Sequence, residues 1–92
     1  HTRMQAAQFL VYSAAMKKQN HEPYSMDAAM AKLFAAEAAS DVTRRAVQLF
    51  GGYGYTREYP VERMMRDAKI TEIYEGTSEV QRMVIASNLG VK

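Results

Sequence analysis

The sequence contains no cysteine and no tryptophan, and only two of its 92 residues are proline. Without cysteine the chain has no disulfide, no thiolate metal ligand and no thiol nucleophile. Its two histidines, His1 and His21, are far apart, and no carboxylate cluster has the spacing of metal ligands, so we expect no metal site. No apolar run has the length of a membrane span, and no signal-peptide pattern is present. A soluble, reducing compartment fits these absences.

The sequence also has little net charge. Twelve lysines and arginines stand against ten aspartates and glutamates, which gives a formal net charge of +2. Basic and acidic residues alternate in pairs such as Arg57–Glu58 and Arg66–Asp67. This pattern is typical of a solvated, ion-paired surface rather than of a stripe that follows phosphates, so we expect no nucleic-acid partner.

The length limits what the chain can enclose. A domain of this size buries only about 60–65% of the surface of its unfolded chain, which makes an enclosed pocket for a large cofactor difficult to build. The chain also begins in helical register without an initiator methionine. We therefore expect residues 1–92 to be one domain-sized segment of a longer polypeptide.

Glycine and proline divide the chain into four predicted helices. The first two lie at about residues 2–18 and 25–50, the third begins near Pro60, includes Ile70 and ends before Gly76, and the last lies at about residues 78–88. Ser25 is the predicted N-cap of the second helix, and Gly51 its C-terminal cap. Ser78 and Gln81 have the spacing of a capping box at the start of the last helix. No segment alternates like a strand. The predicted fold class is therefore all-α, an antiparallel helical bundle of two long and two short helices.

Glu75 stands at the junction "IYEGTS", between two predicted helices. Its apolar neighbours Ile73 and Tyr74 predict partial desolvation, which would make the carboxylate a stronger base. Gly76 leaves the backbone open to a ligand, and the N–H groups of the next helix start can receive an anion. The residues fit an active-site edge, but they also fit an ordinary surface glutamate at a helix end.

The stretch "QLFGGYGY", residues 48–55, has three glycines in four positions. Such a stretch allows a phosphate to approach backbone amides, although it could also be a simple connection. It does not follow a strand, so it is neither a Rossmann turn nor a P-loop. In the next predicted helix, Glu62 and Arg66 are placed for an i, i+4 ion pair.

Residues 48–86 closely resemble the C-terminal signature of the flavin-dependent acyl-CoA dehydrogenases. The shared order is Gln-x-x-Gly-Gly-x-Gly-Tyr, then Pro-Val-Glu-Arg, Arg-Asp-x-Lys-Ile and Ile-Tyr-Glu-Gly-Thr. The earlier half also resembles helices of the family's C-terminal bundle. The resemblance implies that the family's N-terminal helical domain, its middle β-domain and the first helix of the bundle are absent from this chain.

The resemblance also implies roles for individual residues. Glu75 matches the base that removes the pro-R α-proton of an acyl-CoA thioester, while a β-hydride passes to flavin N5 and leaves a trans-2-enoyl-CoA. Its backbone N–H matches a donor to the thioester carbonyl, and Gly76 matches a residue lining the substrate thioester. Two segments match FAD-contacting stretches, one for the same subunit and one for a neighbouring subunit. They are Thr77, Ser78 and Glu79, and Gln48, Leu49, Phe50, Gly51 and Gly52, respectively.

A glutamate at position 75 favours the short-, medium- or short-branched-chain groups, and "RDAKITEIYEGTSEVQRMVIA" looks most like short-chain (butyryl-type) enzymes of fatty acid β-oxidation. The resemblance implies a homotetramer built as a dimer of dimers, an electron-transferring flavoprotein as acceptor, and a cytoplasmic (bacterial) or mitochondrial-matrix (eukaryotic) location. Two alternatives remain: a non-catalytic helical oligomerisation module, and an acyl-CoA oxidase-type relative that passes electrons to oxygen.

Overall fold

The computed structural model describes residues 1–91, which form four α-helices and one short 3₁₀ segment. The α-helices are α1 (Thr2–Gln19), α2 (Ser25–Phe50), α3 (Val61–Ile70) and α4 (Ser78–Asn88), and the 3₁₀ segment is Gly51–Tyr55. No strand occurs within this described range. The predicted all-α class, with two long and two short helices, is confirmed.

Helix α2 is the centre of the fold. The other three helices and the 3₁₀ segment all pack on it, whereas α1, α3 and α4 do not pack against one another within residues 1–91. Four alanines of α2 are buried, each at most 6% exposed. At 3.6 residues per turn, Ala29 and Ala36 lie on one face of the helix, and Ala31 and Ala38 lie on nearly the opposite face. The small side chains therefore let neighbours approach α2 from two sides.

The arrangement around α2 is open rather than enclosed. The radius of gyration is 15.4 Å, against about 12 Å for a compact chain of this length. Helix α1 has no buried residue, and Phe9 on its surface is 71% exposed. Leu49 at the far end of α2 is 88% exposed, and Met83 on α4 is 69% exposed. The helices of the predicted bundle thus keep large apolar faces that residues 1–91 do not cover.

The predicted starts of α2 and α3 differ from the structure by one residue. Tyr24, not Ser25, is the N-cap of α2, and no side chain caps that end. Pro60 is the N-cap of α3 rather than a residue of its first turn. Gly51 does cap the C-terminus of α2, with φ 65°. A helix boundary depends on where the chain turns, and local residue preferences locate that point only to within a residue or two.

Ion pairs tie the outer helices to α2. Arg3 of α1 pairs with Asp41 at 2.6 Å, and Arg82 of α4 pairs with Glu37. The predicted pair within α3 is confirmed, with Arg66 Nε 2.8 Å from Glu62 Oε2. The hydrogen bond from Arg66 holds the pKa of the Glu62 carboxyl below its usual range. Exposed pairs of this kind add little to stability, so the packing on α2 remains the main interaction.

The 3₁₀ segment takes the place of the predicted glycine-rich loop. Its Gly54 is buried beneath the end of α2. The ring of Tyr59 meets Phe50 and Tyr53 edge to face, at centroid distances of 5.5 and 6.1 Å. The chain can turn back here because no side chain separates Gly54 from the last turn of α2.

We expect Gly54→Ala to destabilise the protein by about 1–3 kcal/mol, the usual effect of overpacking. A Cβ at this position would lie 2.5 Å from the Val47 carbonyl oxygen and 2.7 Å from Phe50 Cβ. Gly52→Ala is the matched control, since a Cβ there meets nothing within 4 Å, and its effect should stay within about 0.5 kcal/mol. Urea denaturation at constant m-value measures both changes, and equal midpoints would contradict this account.

Candidate active site

The turn between α3 and α4 has an unusual backbone. Glu75 has φ 55° and Gly76 has φ 92°, so both residues lie in the left-handed region. Glycine adopts this conformation freely, but a residue with a Cβ is strained there by roughly 1–2 kcal/mol. Strained non-glycine residues occur preferentially at functional sites. Glu75, which the sequence predicts to be a site residue, therefore also has a strained backbone. No sequence pattern predicted this strain.

Hydrogen bonds close this turn at its base. The N–H groups of Ile73 and Tyr74 both donate to the carbonyl of Ile70 at 3.0 Å, and the Ser78 N–H donates to the Glu72 carbonyl at 3.0 Å. By contrast, the N–H groups of Glu75 and Gly76 donate to no acceptor within residues 1–91. The tip of the turn thus offers two unpaired backbone donors beside the Glu75 carboxylate.

Two side chains from different helices bind the carbonyls of the turn. Lys32 Nζ of α2 donates to the Gly76 carbonyl at 2.6 Å. Gln81 Nε2 of α4 donates to the Glu75 carbonyl at 3.2 Å and to that of Gly76 at 3.4 Å. Lys32 was not singled out from the sequence, because it lies 44 residues from Gly76 in an alanine-rich helix and no local pattern connects them.

The Glu75 side chain is exposed, and so are its apolar neighbours Ile73 (50%) and Tyr74 (52%). The desolvation predicted from these neighbours is therefore not provided within residues 1–91, because both side chains are themselves half in solvent. Glu75 instead lines an open cleft of about 990 Å³ between the end of α1, the start of α2 and α4. Lys32 and Gln81 line the same cleft.

The start of α4 is capped differently from the prediction. Thr77, not Ser78, is the N-cap, and its Oγ1 accepts the Val80 N–H at 3.2 Å. The predicted capping box of Ser78 and Gln81 is wrong, because Gln81 reaches back to the turn instead. Ser78 is 5% exposed, and its Oγ has no hydrogen-bond partner in the described part of the chain. An unsatisfied hydroxyl at a helix N-terminus is suited to donate a hydrogen bond to an oxygen of an anionic group.

Residues 48–52 lie far from this turn. They are exposed at the other end of α2, and the helical rise places Gln48 about 24 Å along the axis from Lys32. The structure thus brings Glu75 to Glu79 together, but it does not bring the segment 48–52 to them. Two separate surfaces carry the residues singled out from the sequence.

Other kinds of site find no support in the described range. No group of three or more potential metal-ligating residues occurs in residues 1–91. None of the helices described there combines the length and the apolar character that crossing a membrane requires.

A family model for the C-terminal domain of acyl-CoA dehydrogenases matches residues 1–90. The chain belongs to the acyl-CoA dehydrogenase family. The resemblance that residues 48–86 carry is thereby confirmed, and it extends over the helices that precede them.

Known proteins similar to this acyl-CoA dehydrogenase domain include short-chain members. The short-chain specific acyl-CoA dehydrogenase of Clostridium acetobutylicum is 67% identical over 86 residues, which are 94% of this chain and 23% of that protein. The structure of butyryl-CoA dehydrogenase from Megasphaera elsdenii matches 96% of this chain with a TM-score of 0.93 and 59% identity. The present chain spans less than a quarter of these relatives.

A further match is a chain in a structure described as the electron transferring flavoprotein of Acidaminococcus fermentans, studied for flavin-based electron bifurcation. It has a TM-score of 0.94 and 59% identity over 96% of this chain, which covers 23% of that chain.

We expect Glu75→Gly to stabilise this acyl-CoA dehydrogenase domain by about 1 kcal/mol, because glycine removes the strain of the positive φ. The matched control is Glu79→Gly in the first turn of α4, where glycine should instead destabilise by about 1 kcal/mol. The midpoint of chemical denaturation distinguishes the two variants by the sign of the shift. Destabilisation by Glu75→Gly would show that the turn is not strained at this residue.

Proposed function

We propose that the protein carrying this chain is an FAD-dependent dehydrogenase that converts short-chain acyl-CoA thioesters to trans-2-enoyl-CoA, with Glu75 as the catalytic base. The observation that carries the proposal is the geometry of Glu75, whose carboxylate and unpaired backbone N–H meet at one open turn. The identity to relatives named as short-chain specific supports the substrate class.

In this proposal Glu75 acts through both its side chain and its backbone. The N–H donates a hydrogen bond to the thioester carbonyl, which makes the α-proton more acidic and stabilises the negative charge that develops on the oxygen. The carboxylate then accepts the α-proton. Gly76 has no side chain to obstruct the thioester, and its own N–H also finds no acceptor in the described part of the chain. Bound substrate and protein outside residues 1–91 would shield the carboxylate from water.

The residues at the start of α4 fit an FAD diphosphate. The Ser78 hydroxyl is buried without a partner among residues 1–91, and the helix N-terminus beside Thr77 and Glu79 attracts negative charge. When bound, the flavin ring supplies the acceptor for the β-hydride. These three residues would hold the FAD of their own subunit near its diphosphate and adenosine part.

The segment formed by Gln48, Leu49, Phe50, Gly51 and Gly52 would contact an FAD bound mainly by a neighbouring subunit. This segment is exposed and lies far from the Glu75 turn. It could therefore contact the FAD of a neighbouring subunit while the turn serves the site of its own subunit, which supports this assignment. Such sharing requires an oligomer, and we propose a homotetramer built as a dimer of dimers. The exposed apolar faces of α1 and α4 support burial in an assembly.

An electron-transferring flavoprotein is the proposed acceptor, which the similarity to a chain in the Acidaminococcus fermentans structure supports. The protein would act in the cytoplasm of a bacterium or in the mitochondrial matrix of a eukaryote. A member that instead reacts directly with oxygen would be an oxidase.

We expect Glu75→Gln to lower the rate of flavin reduction by butyryl-CoA at least about 10²- to 10⁴-fold, the usual contribution of a general base. The bleaching of the flavin absorption band in the intact protein measures this rate. Glu72→Gln, three residues earlier, is the control and should keep its activity, since within residues 1–91 the Glu72 carboxylate has only a long ion pair of 3.9 Å with Lys69 and its backbone bonds are unaffected by the substitution.

Full activity in Glu75→Gln would refute the base assignment. A colourless native protein would instead indicate a non-catalytic helical module. Rapid reoxidation by oxygen without an electron-transferring flavoprotein would indicate an oxidase.

A further inference from the structure

We propose that Lys32 is the positioning residue for Glu75: its ammonium group holds the Gly76 carbonyl and thereby keeps the catalytic turn in its left-handed conformation. The inference rests on the proposed function of Glu75. The observation that carries it is the 2.6 Å hydrogen bond from Lys32 Nζ to the Gly76 carbonyl oxygen.

The turn requires an external constraint because its own preference is unfavourable. A glutamate left to itself prefers negative φ by roughly 1–2 kcal/mol. Relaxation at Glu75 to a negative φ would change the orientation of its side chain and its N–H relative to the rest of the turn. The bond from Lys32 fixes the peptide group that directly follows the two left-handed residues, so this relaxation would require breaking a charge-assisted hydrogen bond.

Lys32 reaches the turn because of its place on α2. It lies three residues after Ala29 and four before Ala36, so the three residues share one face of the helix. Both alanines are buried at this face, and they leave room for the lysine stem to extend toward the turn. The position of Lys32 is therefore fixed by the packing at the centre of the fold.

The polar environment of Lys32 also points to this role. The half-buried Lys32 forms no ion pair within residues 1–91, whereas Lys17 on the same cleft pairs with Asp27 at 3.0 Å. Removing part of an ammonium group from water is unfavourable unless strong hydrogen bonds replace the water. The Gly76 carbonyl is the acceptor that the protein provides for the Lys32 ammonium group.

Gln81 provides a second, weaker constraint on the same peptide groups. Its neutral amide donates to the Glu75 carbonyl at 3.2 Å and to the Gly76 carbonyl at 3.4 Å. Donors from α2 and α4 thus approach the turn from two elements. Because Lys32 contacts a backbone carbonyl and not the reacting groups, it acts through the orientation of Glu75.

The test is Lys32→Met in the full-length enzyme with FAD bound, because methionine keeps an unbranched stem and removes the donor. We expect kcat for butyryl-CoA to fall about 10- to 100-fold through misplacement of the base, with KM changed by less than about 3-fold and flavin content retained. Amide hydrogen exchange at Ile73, Tyr74 and Ser78, whose N–H groups are hydrogen-bonded within the turn, should become at least about 10-fold faster, as followed by mass spectrometry. Lys32→Arg, which retains a charged donor, should recover part of both losses.

Two further variants complete the design. Lys18→Met is the matched control, since Lys18 is exposed and lies over the Tyr24 ring at 5.9 Å rather than binding the turn. It should change neither kcat nor local exchange. Gln81→Met removes the second donor and should have the same effects as Lys32→Met to a smaller extent. This variant keeps the inference testable if Lys32→Met does not fold.

Unchanged kcat and unchanged exchange in Lys32→Met would overturn the inference, while inactivity of Glu75→Gln would leave the proposed function intact. A lower melting temperature with an unchanged kcat per bound flavin would also overturn it, because that result describes a purely structural lysine. If Glu75→Gln were fully active, the proposed function would fail, and the exchange experiment would still decide whether Lys32 holds the turn.

Discussion

The close approach of three helices to α2 is the constraint on which the rest of the structure depends. Four buried alanines on two nearly opposite faces of α2 make this approach possible, since larger side chains would push the neighbours outward. The helices α1, α3 and α4 do not pack against one another within the described range, so α2 alone sets their relative positions. The location of the Glu75 turn follows from this packing, because the turn connects two helices that are each placed by α2.

The candidate site depends on backbone geometry more than on burial. Glu75 is exposed within residues 1–91, and its carboxylate gains no apolar covering from its neighbours. What distinguishes it is a left-handed backbone, an unpaired N–H and carbonyls bound by Lys32 and Gln81. If Glu75 acts as the proposed base, this backbone would orient it before substrate binds, and protein outside residues 1–91 would exclude water from it.

The sequence predicts much of the fold because helix patterning and breaker residues are local signals. Gly51 and the long alanine-rich run define α2 almost to the residue, and the predicted Glu62–Arg66 pair forms. The starts at Tyr24 and Thr77 each lie one residue before the predicted cap, because residue preferences locate a helix boundary only to within a residue or two. The positive φ of Glu75 and the reach of Lys32 depend on contacts between distant segments, so no local pattern could indicate them.

The strained backbone at position 75 has a consequence for how such a chain would change over generations. A glutamate codon becomes a glycine codon through one nucleotide substitution, and glycine suits a φ of 55° better than glutamate does. Glycine is therefore one nucleotide substitution away and would relieve the backbone strain, whereas the proposed role of the carboxylate as a base would oppose the change. In a lineage whose proton abstraction moved to another residue, the turn would be free to drift to glycine. A glycine at this position would be compatible with an intact fold.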